Sequence, residues 1–209
     1  MRNKSILITV FIVANVFVYG QNFEGKIIYS NHFTSKMKNI TNGQLDTIIG
    51  TMEEYFIKGG NYKLFLNGQS VKMKLYDYKT NRIYNKTFKT DTLFWFDASV
   101  NTDEVTSFEI KKNAEIILGN QCDAIVMKTR TGTSVIYYSS RYKVDSKIYR
   151  NHNYSNWAFY VTKTESLPLK TVIETSQFKM ESTAVEINPM KLEAIYFDID
   201  SEIPVKKSN

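Results

Sequence analysis

The chain has 209 residues, 43% hydrophobic and 14% aromatic, with a formal net charge of +6 and one cysteine. That length fits one domain with a substantial core that needs no stapling, and a lone cysteine excludes an intramolecular disulfide. The charge is modest for a surface of this size and by itself demands no anionic partner.

Residues 1–20 read as a cleaved secretory signal, because Arg2 and Lys4 precede an uncharged apolar run over 6–18 that ends in Val18-Tyr19-Gly20 before Gln21. The run is too short for a spanning helix and contains Asn15. Cleavage near Gly20-Gln21 leaves 21–209 as one β domain, and no later stretch is apolar and long enough to cross a bilayer. No cysteine sits at the cleavage point for an acyl anchor. The expected product is soluble and exported, to the periplasm or beyond.

Residues 25–33 open a sheet, with Ile27-Ile28-Tyr29 apolar on both sides. Residues 34–50 are rich in Thr, Asn and Lys and lack a period, so they read as a long loop with one helical turn, the natural lid of any cavity. A meander follows. Strands over 52–58 and 62–66 flank Gly59-Gly60, a two-residue hairpin signature, and Asn67-Gly68 turns the chain into a strand over 70–76. There Val71, Met73 and Leu75 alternate with Lys72 and Lys74, one face buried and the other wet. Strands over 82–88 and 92–96 come next. Leu93-Phe94-Trp95-Phe96 is apolar on both faces, which predicts a strand covered twice.

Strands over 105–110 and 114–118 lead through Gly119-Asn120 into 122–128, where Cys122 begins a hydrophobic run that favours a buried, inert thiol over an intermolecular bond. Arg130-Thr131-Gly132-Thr133 connects to a strand over 134–139. Residues 141–155 read as an ordered polar and aromatic loop, followed by strands over 157–162, 169–175, 178–187 and 195–199. Asn188-Pro189 suits the start of a short helix over 190–194. Ten or eleven antiparallel strands are too many to stay flat, so the all-β sheet is expected to curl into a barrel, a half-barrel or two packed layers.

Chemistry is sparsely signalled. His32 and His152 are the two histidines, far apart in sequence and without a nucleophile or carboxylate motif beside them, and they read as a sheet residue and a loop hydrogen-bonder. Asp198, Asp200 and Glu202 alternate, which suits a charged edge strand better than a calcium loop because no glycine-bounded ligand loop accompanies them. No cofactor motif is seen. The basic stretch 58–89 carries eight cations against Asp77 alone, interleaved with tyrosines. Its lysines alternate with core residues as a solvated face does, so no nucleic-acid role is read from it.

Ile117-Leu118-Gly119-Asn120-Gln121-Cys122-Asp123-Ala124-Ile125-Val126, the later Tyr137-Tyr138-Ser139, and Leu167-Pro168-Leu169-Lys170 resemble the pattern of uncharacterised exported bacterial proteins of the LolA-like, or lipoprotein-carrier-like, superfamily. Gly119 and Cys122 match its turn and strand start, 167–170 its corner, and Phe197 a late aromatic; none of these is catalytic in the family. The resemblance implies a strongly curved antiparallel half-barrel with an apolar concave face plugged by a loop or short helix. It implies a non-enzymatic binding protein for a lipid, a lipoprotein acyl chain or another apolar ligand. The alternative is an envelope protein-interaction module with a filled core. Candidate cavity walls are Phe94, Trp95, Phe96, Trp157, Phe159, Leu169, Ile173, Phe178 and Met180, aromatic and aliphatic positions suited to an apolar pocket.

Overall fold

The structure, a computed structural model, describes residues 22–208. The segment read as a secretory signal lies outside the described residues. The strands are β1 (Gly25–Ser35), β2 (Met52–Lys58), β3 (Asn61–Leu66), β4 (Val71–Asp77), β5 (Arg82–Thr87), β6 (Leu93–Asp97), β7 (Ser107–Ile117), β8 (Asn120–Lys128), β9 (Gly132–Lys143), β10 (Ser166–Thr175), β11 (Phe178–Pro189) and β12 (Val205–Lys207). Two helices, α1 (Asn42–Ile49) and α2 (Trp157–Thr164), interrupt them. All twelve strands form one sheet in the order β12-β6-β5-β4-β3-β2-β1-β11-β10-β9-β8-β7. Every ladder is antiparallel except β12 against β6.

The sheet is strongly curved. In a flat sheet β6 and β10, seven strands apart, would lie about 34 Å from one another at ~4.8 Å per strand, yet Phe96 of β6 and Ile173 of β10 line the same cleft. Register identifies the concave face. Ile27 pairs with Tyr55, Tyr55 with Leu64, Leu64 with Lys74, Lys74 with Asn85, and Asn85 with Phe94, one row of side chains along one face.

The concave face is filled at one end by residues 144–164, the connection from β9 to β10. Val144, Tyr149, Tyr160 and Val161 from this segment join Ile57, Tyr62, Ile83, Ile125 and Leu169 of the sheet in the main core. A plug of loop and short helix is therefore present, but it comes from 144–164 and not from 34–50. Residues 157–162, expected as a strand, are helical. Trp157, Tyr160 and Val161 fall at i, i+3 and i+4, which places them on one helix face against the sheet. Ser155, Asn156 and Glu165 adopt positive φ at its two ends. Asn156 is held there by its amide donating to the Asp103 carbonyl (2.9 Å) and accepting from the Asn101 amide (2.7 Å).

Residues 34–50 hold α1, which is longer than one turn. Thr41 Oγ1 accepts from the Gln44 N–H while Gln44 Oε1 accepts from the Thr41 N–H, a capping box. The last carbonyls of α1 accept from Gln69 and Ser70 N–H, so the helix is sealed against the β3–β4 turn at the rim of the sheet. A Cβ on Gly68 would stand 2.2 Å from the Ile49 carbonyl carbon. Glycine is required for that approach.

The convex face of β2–β6 is also covered. Met73, Leu75, Tyr84 and Leu93 pack against Leu192 and Phe197 of the C-terminal segment. The expectation that Leu93-Phe94-Trp95-Phe96 is covered twice holds, by the plug within and this segment without. The alternation expected in β4 holds too, with Met73 and Leu75 buried and Lys72 exposed; the buried side is the outward one, under the C-terminal cover, and Lys74 faces the concavity. Other expectations give way. The two strands expected over 105–110 and 114–118 are one bulged strand, β7, residues 190–193 are not helical, and a 3₁₀ turn (Ala194–Phe197) stands in place of the strand expected over 195–199. Asp200 accepts from the Glu202 N–H in a turn, so the three late acids do not line a strand face.

Candidate functional site

The deepest part of the concavity is an aromatic cluster around His152. Tyr55, Tyr62 and Tyr76 of β2–β4 stack in sequence, with centroids 5.4 and 5.2 Å apart. His152 lies against Tyr76 at 4.2 Å, and its Nε2 is 2.9 Å from the Tyr62 hydroxyl. Trp157 closes the group, 5.9 Å from Tyr149 and 5.5 Å from Tyr160. Burial lowers the His152 pKa to about 3, so the ring is neutral at ordinary pH, and it pushes the Tyr55, Tyr62 and Tyr160 hydroxyls well above their usual value. With its ring 1% exposed, His152 meets no solvent-borne substrate and acts as a packing and hydrogen-bonding residue of the plug.

Beside the plug the concavity stays open. A cleft of about 580 Å³ has Phe96, Val100, Tyr154 and Ile173 as apolar walls and Asn101 and Ser134 among its polar ones. Its volume falls within the range of small-molecule sites. Tyr154 packs on Phe96 at 5.0 Å. The rim is fixed by Asp103, whose carboxylate accepts from the Arg130 and Thr131 N–H groups and from the Thr131 hydroxyl, tying the 99–106 loop to the β8–β9 turn. Hydrogen bonds from the Thr129 and Thr131 hydroxyls hold that carboxyl below its ordinary range. A second, polar hollow of about 310 Å³ lies alongside, between Ser99, Glu104, Asn153 and Phe159.

The nine expected wall residues are spread over several environments. Phe96 and Ile173 line the cleft, and Phe94 shares their face by register. Trp95 points to the convex side, where the Arg82 guanidinium lies 3.8 Å from its ring centroid. Trp157 is part of the plug, and Phe159 packs edge-on against Phe108 of β7 at 5.3 Å beside the polar hollow. Leu169 is fully buried core. Phe178 and Met180 pair with Ser35 and Phe33 on the concave side, farther along the groove.

Two polar residues on the concave floor escaped the sequence reading. Glu53 pairs with Tyr29 and Leu66 and is only partly covered, yet no hydrogen bond or ion pair reaches its carboxyl among the described residues. Burial raises its pKa to about 7, with Lys74 opposing the shift. Lys74 has no carboxylate within bonding distance among the described residues, and its ammonium lies 5.4 Å from the Tyr154 ring centroid. Alternation in β4 marked Lys74 as polar-facing, but not that its face is the concave one.

Among the described residues no three His, Cys, Asp or Glu side chains gather as metal ligands, and no helix is long and apolar enough to cross a membrane. What the arrangement offers is a cleft with apolar walls and a polar lining that includes Asp97, Asp103 and Lys207, and, elsewhere on the same concave face, one carboxyl and one ammonium without a polar partner among the described residues.

No protein-family model and no curated protein sequence matches the chain. Among solved structures, PNGF-II is similar with a TM-score of 0.49 and 15% identity over 89% of this chain. This chain spans 32% of the length of that one. The Mycobacterium tuberculosis lipoprotein LppX gives a TM-score of 0.37 at 12% identity, covering 81% of this chain and 90% of that chain. LprF from Mycobacterium bovis gives 0.35 at 10% identity, covering 81% and 88%.

Proposed function

We propose that this protein is an exported, non-enzymatic binding protein that holds a lipid or other acyl-chain ligand in the concave face of its sheet. The observation that carries this reading is the cleft of about 580 Å³ walled by Phe96, Val100, Tyr154 and Ile173 beside the plug. Burying an apolar chain there releases water from aromatic and aliphatic surface at about 25 cal/mol per Å². The plug supports the same role. By filling one end of the concavity it keeps the sheet curved without filling the remainder, so the groove does not collapse when empty.

The test is binding. Protein purified from its own host is extracted with organic solvent and the extract is analysed by mass spectrometry, and the stripped protein is then titrated with a fluorescent fatty acid. A co-purifying acyl compound, saturable binding, and loss of binding in Phe96→Asp and Ile173→Asp are expected. No extracted lipid together with no saturable binding overturns the proposal, as does equal binding by both variants.

A further inference from the structure

The geometry points to Glu53 and Lys74 as the polar anchor of this groove, recognising an amphiphile whose head group carries both an ammonium and an anionic oxygen group. The inference rests on the apolar-ligand reading above and adds the chemistry of the head.

The two side chains share the concave face. Glu53 lies on β2 two residues before Tyr55, and Tyr55 pairs with Leu64, which pairs in turn with Lys74. They are close enough for Lys74 to oppose the rise in the Glu53 pKa, yet no ion pair closes between them. Each is also without another polar partner among the described residues, although the same strands pair their outward charges: Lys58 binds Glu24 at 3.0 Å and Lys26 approaches Glu54 at 4.0 Å. An opposite-charge pair held apart on a groove floor leaves room for a ligand dipole, whose ammonium meets the carboxylate and whose anionic oxygen meets the ammonium. Each contact then becomes a charge-assisted hydrogen bond in a partly desolvated setting. A carboxylate raised by burial with no partner gains most when a cation arrives. The remaining titratable groups facing Glu53 are Tyr29, Tyr55 and Tyr62, neutral phenols that do not compete for that cation.

Glu53 and Lys74 do not line the cleft itself but share the concave face with its wall residue Phe96. Tyr154 is the link, with one contact to Phe96 in the cleft wall and another to the Lys74 ammonium. A chain lying along Phe96 and Ile173 would therefore place its head past Tyr154, between Lys74 and Glu53.

The experiment is calorimetric titration of the full mature chain with lysophosphatidylethanolamine, lysophosphatidylglycerol and monoacylglycerol of one chain length, for the wild type, Glu53→Gln and Lys74→Met. Affinities are read as ratios to monoacylglycerol, so a general loss of folded protein cancels. Wild type is expected to prefer the ethanolamine head over the glycerol head by about tenfold. Glu53→Gln should erase that preference, and Lys74→Met should weaken both phosphate-bearing ligands relative to monoacylglycerol. If monoacylglycerol binds but the ratios do not change in either variant, the anchor is wrong and the apolar reading stands. If none of the three binds wild type, both fall.

Discussion

His152 and Glu53 should make the stability of this protein almost independent of pH over a range where either residue alone would make it steep. His152 has a folded-state pKa of about 3 against 6.5 when free, so the stability its neutral ring contributes is complete above 6.5 and is lost as pH falls below it. From about pH 8 to about pH 5 that loss is about 2 kcal/mol, one and a half units at about 1.4 kcal/mol each. Glu53 acts in the opposite sense. Its folded-state pKa of about 7 exceeds the free value of 4.5, so the folded state gains a proton first and is stabilised as pH falls through that window. The full linkage to about pH 5 is about 2.5 kcal/mol, reduced to about 2 because solvent reaches the groove. The two slopes cancel. Below 4.5 Glu53 is protonated in both states and the loss at His152 continues alone, so acid unfolding should set in there.

The assay is urea unfolding by far-ultraviolet circular dichroism at several pH values for the wild type, His152→Gln and Glu53→Gln, compared as differences so that shared surface groups drop out. Relative to wild type, His152→Gln should gain about 2 kcal/mol between about pH 8 and about pH 5 and Glu53→Gln should lose about the same. Parallel profiles for all three proteins would refute the argument.

Leu169→Ala, at a fully buried position of the main core, should cost about 2–5 kcal/mol in the same unfolding experiment, whereas Trp95→Ala on the convex side should leave fatty-acid binding intact. Thr41→Ala removes the acceptor for the Gln44 N–H and should cost about 1 kcal/mol, read as faster amide exchange within α1 than elsewhere. Burial pushes the Cys122 thiol up, so a thiol reagent should label it only after denaturation, and rapid labelling of native protein or a disulfide-linked dimer would contradict its placement.

Hairpins were the most legible part of the sequence. Gly59-Gly60 and Gly119-Asn120 carry positive-φ glycines at tight connections, a conformation that other residues rarely adopt, so those turns announced themselves. The antiparallel meander and the all-β class followed from them. The plug was harder because the apolar residues of 157–164 other than Ala158 are aromatic or β-branched, which favours a strand reading when periodicity is judged over eight residues; the i, i+3, i+4 spacing of Trp157, Tyr160 and Val161 was the weaker signal that tertiary packing made decisive. The Thr41-x-x-Gln44 capping box was present in the sequence and marked a helix longer than the single turn expected. The candidate site was legible only by residue type. Phe94, Trp95 and Phe96 alternate faces, and nothing local says which parity looks inward. In β4 the lysine parity looks inward, because the C-terminal segment returns to cover Met73 and Leu75. That cover is a long-range contact invisible to local pattern, and it is why Glu53 and Lys74 were overlooked.

The two tryptophans stand on opposite faces of the same sheet, Trp157 in the aromatic plug and Trp95 beneath the Arg82 guanidinium on the convex side. They divide the molecule optically. Trp157, ringed by tyrosines that transfer excitation to it, should report changes within the concavity, while Trp95 should report release of the C-terminal cover. Single Trp→Phe variants thus turn the native chain into two separate gauges, one for filling of the groove and one for loosening of its outer skin.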